Sequence, residues 1–117
     1  MAAYEAKIND WVIDVDTHLT EPGDLWTSRL PARYKDQAPR IVRDPETAAD
    51  SWAIGETAGF LPVGFTAMAG WPEPFPSAPK NMDEVPKASY DARARLEYMD
   101  RVGIWAMALY PNVGGFG

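Results

Sequence analysis

The chain has 117 residues, 46% hydrophobic and 24% charged, the balance of an ordinary globular domain with room for one modest core. Its net charge of −6, with arginines beside acids as in Arg43-Asp44 and Asp100-Arg101, argues against a nucleic-acid surface, which needs clustered cations. The absence of cysteine excludes disulfide frameworks, thiolate catalysis and thiolate zinc sites, and no apolar run reaches membrane-spanning length.

Residues 1–10 carry Glu5, Lys7 and Asp10 and lack the apolar stretch of a secretion signal, so a cytoplasmic location is expected. Trp11 to Asp16 reads Trp-Val-Ile-Asp-Val-Asp, a β-branched run that suits a buried strand. Thr17 to Gly23 reads as the strand end running into a turn, and Pro22 disfavours helix at Glu21. Asp24 is placed to cap a short helix holding Leu25, Trp26 and Leu30, stopped by Pro31. Arg40–Arg43 and Ser51–Ile54 read as two short strands around the polar turn Asp44-Pro45-Glu46-Thr47, an antiparallel hairpin. Trp71 to Pro86 contains Pro72, Pro74, Pro76, Pro79 and Pro86, which forbids regular structure.

Order returns near the end. Ser89 or Asp91 is placed to cap a helix in which Ala92, Leu96, Met99 and Val102 form one apolar stripe, and Gly103 suits its C-terminus. Ile104 to Tyr110 is a continuous apolar run of strand length, ended by Pro111-Asn112. Strand, long excursion, helix and strand predict a right-handed parallel βαβ unit. In it Val12–Asp16 and Ile104–Tyr110 are neighbours, Leu96 and Met99 pack on the strands, and His18 and Asn112 leave the same sheet edge. The hairpin and proline-rich loop should lie over that edge. One such unit cannot cover its own faces, and the sequence stops just after a strand. The expectation is therefore the N-terminal portion of a larger α/β domain, truncated after its second strand and without turnover alone.

The one histidine follows the first strand, in Val15-Asp16-Thr17-His18. Residues two apart in a strand point to one side, so Asp16 and His18 aim a carboxylate and an imidazole at a common point. Both suit a borderline divalent ion such as Zn2+, and Asp14, in the same phase, is placed to bond the imidazole from behind. A structural hydrogen bond is the plainer reading of such a pair. Its place at the carboxyl end of a parallel strand, where α/β sheets bind ligands, favours the metal. Glu21 is a candidate to orient a ligand or meet substrate, against the simpler reading of a turn residue before Pro22. Trp71 and Phe75 either line a pocket or pin the long loop. Arg93, Arg95 and Arg101 are assigned to a solvated helix face, Asp83-Glu84 to solvent, and Met99 and Trp105 to the core. Ser28, Ser51, Ser77 and Ser89 lack a nucleophile-elbow context, and the glycines near Gly114 lack a P-loop lysine.

The run Val12-Ile13-Asp14-Val15-Asp16-Thr17-His18-Leu19-Thr20-Glu21-Pro22, followed by Leu25-Trp26, resembles the opening of amidohydrolase-related proteins. This group includes aminocarboxymuconate-semialdehyde decarboxylase and gamma-resorcylate decarboxylase. Tyr34 to Arg40, Ala94 to Ile104 and Leu109-Tyr110-Pro111 are similar to further segments of the group. The resemblance implies a (β/α)8 TIM barrel, with residues 1–117 as the N-terminal part of one domain. These would be its first βαβ unit, with the hairpin and proline-rich segment inserted after strand one. It also implies a divalent metal cofactor, with Asp16 in the first ligand place, where many members carry histidine, and His18 in the second. Zinc is the first expectation and manganese the second, since an added carboxylate also suits Mn2+. Further ligands would come from later strands. The implied activity is metal-dependent hydrolysis of a small organic substrate, with non-oxidative decarboxylation of an aromatic or unsaturated acid as the alternative. A homo-oligomer is compatible with either, while nucleic-acid and membrane partners are not expected. A metal-free binding module is the reading from outside enzymology.

Overall fold

The computed structural model describes residues 11–65 and 68–113. The expectations for residues 1–10 and for the glycines near Gly114 lie outside the described residues.

Strand β1 (Val12–His18) pairs in parallel with β5 (Ile104–Tyr110), and helix α1 (Ala92–Val102) precedes β5 in the chain. The helix is bounded as its sequence predicts. The Asp91 carboxylate accepts a hydrogen bond from the Ala94 amide at 2.8 Å, satisfying one of the unpaired donors of the first turn. At the other end Gly103 adopts the left-handed conformation, φ 78°, and its N–H reaches the Met99 carbonyl. A side chain there would be strained, so glycine ends the helix cheaply.

The excursion is a second sheet. Strands β2 (Arg40–Arg43), β3 (Asp50–Ile54) and β4 (Thr57–Pro62) lie in that order, all antiparallel. The β2–β3 hairpin is as predicted. The third strand is not, because Ala58-Gly59 breaks the alternation that would announce it. Residues 23–29 run as successive turns rather than a helix. They contain isolated helical bonds from Ser28 N to Asp24 O and from Leu30 N to Trp26 O, both 2.9 Å, and the chain then enters a 3₁₀ helix, Ala32–Gln37, after Pro31.

The proline-rich stretch stays irregular up to a short 3₁₀ turn at Lys87–Ser89, and it is held by β3. Asp50 N donates to Lys80 O at 2.9 Å. The buried Asp50 carboxylate accepts two bonds from Arg43, both 2.8 Å, and one from Met82 N at 2.9 Å. Gly64 lets the two segments touch: a Cβ there would stand 2.6 Å from the Pro79 carbonyl oxygen.

The buried core joins the two halves. Trp52 and Val63 of the excursion meet Val85 and Val113, with Trp26, Ile41, Leu61, Met82 and Tyr90 packed around them. Thr20 donates from its hydroxyl to Val63 O at 3.3 Å. Since Val113 and Thr20 follow the carboxyl ends of β5 and β1, the second sheet lies at that end of the parallel pair, as predicted.

The (β/α)8-barrel expectation is overturned. The chain is a small mixed domain of a two-stranded parallel sheet, a separate three-stranded antiparallel sheet and one α-helix. Barrel strands are buried on both sides, whereas Ile13 and Val15 of β1 and Trp105 and Leu109 of β5 are exposed. The hydrophobic drive is met at the junction of the sheets instead. The same shift corrects four side-chain assignments. Trp105 is 57% exposed and stacks on Trp11, ring centroids 4.3 Å apart. Leu96 and Val102 are exposed rather than core. Arg95, assigned to solvent, is the buried residue of α1. Among the described residues no helix is long and apolar enough to cross a membrane.

Candidate functional site

The end of β1 is shaped by a bulge. Asp14 stands opposite Met107 and Thr17 opposite Leu109, so Val15 and Asp16 occupy a stretch where β5 supplies one residue. Such an extra residue re-aims the side chains that follow. The Asp14 carboxylate caps the irregularity by accepting the Asp16 N–H at 3.0 Å. That bond holds its carboxyl below the usual carboxylate range. One oxygen of the Asp14 carboxylate is thereby engaged by the bulge's backbone.

Beyond the bulge Thr17 turns inward and is buried, while Asp16 and His18 converge. His18 Nε2 lies 3.5 Å from Asp16 Oδ1, with side chains 30% and 85% exposed. The imidazole is tilted against the Tyr110 ring at 5.8 Å, and its Nδ1 atom is buried. The other ring nitrogen, Nε2, is the one that faces the carboxylate. Two donors each about 2.1 Å from a tetrahedral ion stand about 3.4 Å apart, so the observed spacing fits a shared divalent metal. Among the described residues no group of three or more His, Asp or Glu converges, so Glu21 does not join the pair as a third ligand.

Glu21 has another task. It is 4% exposed, and its carboxylate accepts Asn112 N at 3.0 Å and Val113 N at 3.0 and 3.2 Å. With Leu19 N donating to Tyr110 O at 3.1 Å, it ties the exits of β1 and β5 together. His18 and Asn112 therefore leave the same sheet end, as the parallel pairing requires. Of the two aromatic candidates, Trp71 is half-buried and donates its indole N–H to Ser77 Oγ at 3.2 Å, which pins the loop. Phe75 is exposed. Asp83 and Glu84 are exposed as expected, and Asp83 reaches Arg43 at 3.0 Å.

Sequence reasoning passed over Arg95 and Ser89, both buried beside a cavity at the α1–β5 junction. A signal was available: position 95 falls between Ala92 and Met99 on the stripe read as apolar, where a cation is out of place.

No protein-family model matches the chain, and no curated protein matches it.

Proposed function

We propose that Asp16 and His18 hold a divalent metal ion, zinc in first place and manganese in second, in a metal-dependent hydrolase acting on small organic substrates. The observation that carries the reading is the 3.5 Å separation of His18 Nε2 and Asp16 Oδ1 on one side of the strand end. The likeness of Val12 to Pro22 to amidohydrolase-related proteins supports it. When bound, such an ion lowers the pKa of a water and polarises a carbonyl. The chain's own residues supply the frame. Asp16 contributes the neutralising charge and His18 a neutral nitrogen donor. The bulge held by Asp14 sets their spacing, and Glu21 fixes the neighbouring backbone at Asn112 and Val113.

The test uses the chain's single histidine, whose imidazole resonances report on this site alone. Added Zn2+ should shift the His18 ring signals. Asp16→Ala and His18→Ala should each weaken Zn2+ binding, read by calorimetry, at least about ten-fold. Ring signals indifferent to excess Zn2+ and Mn2+, or variants that bind like the parent, overturn metal ligation. The metal-loaded chain alone is expected to show no turnover on small amides and esters, since among the described residues no third ligand joins the pair. Turnover that survives chelation or His18→Ala overturns the hydrolase assignment.

A further inference from the structure

A half-open cavity of about 380 Å3 lies between α1, β5 and the segment after β1. Most of its wall is apolar, built by Leu19, Pro22, Leu96, Met99, Met107 and Leu109. Neither Asp16 nor His18 lines it, so it is separate from the candidate metal pair. Its size falls within the range of small-molecule sites.

The wall also holds Thr20, bonded to Val63 O, and Asp91, and two further polar residues stand out in it. Arg95 lines the cavity and is 6% exposed. Its guanidinium donates to His18 O at 3.4 Å, to Ser89 O at 3.2 Å and to Met107 Sδ at 3.6 Å. These contacts engage three of the five N–H donors that an arginine carries, and all three acceptors are neutral. Among the described residues Arg95 has no carboxylate within ion-pair distance. Asp14 acts on it only through the longer-range field, and the Asp91 carboxylate, also in the wall, accepts the Ala94 N–H as the cap of α1. Buried charges are ordinarily paired, because an isolated one bears the full cost of lost hydration. Burial accordingly pulls the guanidinium below its usual pKa. The second group is Ser89, 1% exposed and also in the wall, whose hydroxyl has no hydrogen-bond partner among the described residues. A cation without a carboxylate partner in the wall of an apolar cavity matches a carboxylate carried by an apolar molecule. The guanidinium offers N–H donors to the oxygens, and the methionines and leucines take the hydrocarbon.

We propose that this cavity binds a small amphipathic carboxylate, its charged head on Arg95 and its apolar body against Leu96, Met99, Met107 and Leu109. The site is independent of the metal reading and is assayed in the presence of chelator, so failure of one leaves the other standing.

Phenylacetate is the probe, with 2-phenylethanol as the uncharged control of nearly the same shape. Binding to the full chain is followed by saturation-transfer NMR and by amide shifts. Phenylacetate should bind in the millimolar range or tighter, at least about ten-fold better than the alcohol, because the charge-assisted bonds are lost with the carboxylate. Amide shifts should cluster at residues 89–99 and 107–109. Arg95→Met should abolish the preference for the acid. In case that variant does not fold, Met99→Trp should fill the cavity and block both probes. Equal binding of acid and alcohol, shifts elsewhere, or no binding of either probe overturns the proposal.

Discussion

Replacing Glu21 with alanine tests whether a buried carboxylate is what locks the two parallel strands at their exits. Its oxygens accept two backbone N–H groups, of Asn112 and Val113, in a buried position. Truncation leaves both donors without their acceptor. Each orphaned buried donor costs about 1–3 kcal/mol, so Glu21→Ala should destabilise by about 4 kcal/mol in total. For a chain of this length that is a fall in Tm of roughly 15 °C. Glu21→Gln keeps the shape and one acceptor oxygen and removes the charge that strengthens both bonds. Its cost should be about 1–2 kcal/mol. The assay is thermal unfolding by circular dichroism, with urea unfolding to separate stability from a change in cooperativity. A Tm for Glu21→Ala within about 3 °C of the parent would refute the assignment of Glu21 as a strand lock, since it implies that water replaces the carboxylate without loss.

Asp50 should make stability sensitive to acid. The Arg43 guanidinium, aided by the Met82 N–H, holds its carboxyl below the ordinary value. A depressed folded pKa means that the unfolded chain binds more protons in that window. The contribution is therefore complete above the unfolded value of about 3.9 and is lost as pH falls through the folded one. Comparing the parent with Asp50→Asn by urea unfolding across that range should show a steeper acid loss in the parent; parallel curves would remove Asp50 as the cause. Gly64→Ala drives a methyl to 2.6 Å from the Pro79 carbonyl oxygen, and the forced backbone shift should cost about 1–3 kcal/mol. An unchanged urea midpoint would mean that the proline-rich segment moves freely away from β4.

Much of the local structure was legible along the chain because its causes are local. Asp91 caps α1 and Gly103 ends it because one offers a carboxylate to the first turn and the other accepts positive φ. The β2–β3 hairpin follows from two short strands around Asp44-Pro45, and the parallel pairing of β1 with β5 follows from the helix between them. The candidate pair Asp16 and His18 was legible as well, since strand phase brings alternate residues to one side. The spacing itself came from a bulge that the run Ile-Asp-Val-Asp does not announce, because a bulge is a property of two paired strands and not of either one.

What the tertiary structure decided is where the apolar surface goes. Val12 to Val15 and Ile104 to Tyr110 look like strands buried on both faces, yet Ile13, Val15 and Trp105 are exposed. The core formed instead where Trp52 and Val63 of the second sheet meet Val85 and Val113. Hydrophobic residues specify that something must be covered, and only the assembled chain specifies by what. The barrel expectation failed for this reason. Arg95 was misplaced on the same ground: periodicity puts it on the inward stripe of α1, its charge suggests solvent, and the carbonyls of His18 and Ser89 decide for burial. Glu21 took its role likewise from a turn 91 residues away in sequence, because the backbone N–H groups it accepts exist as a pair only once β5 has ended beside β1.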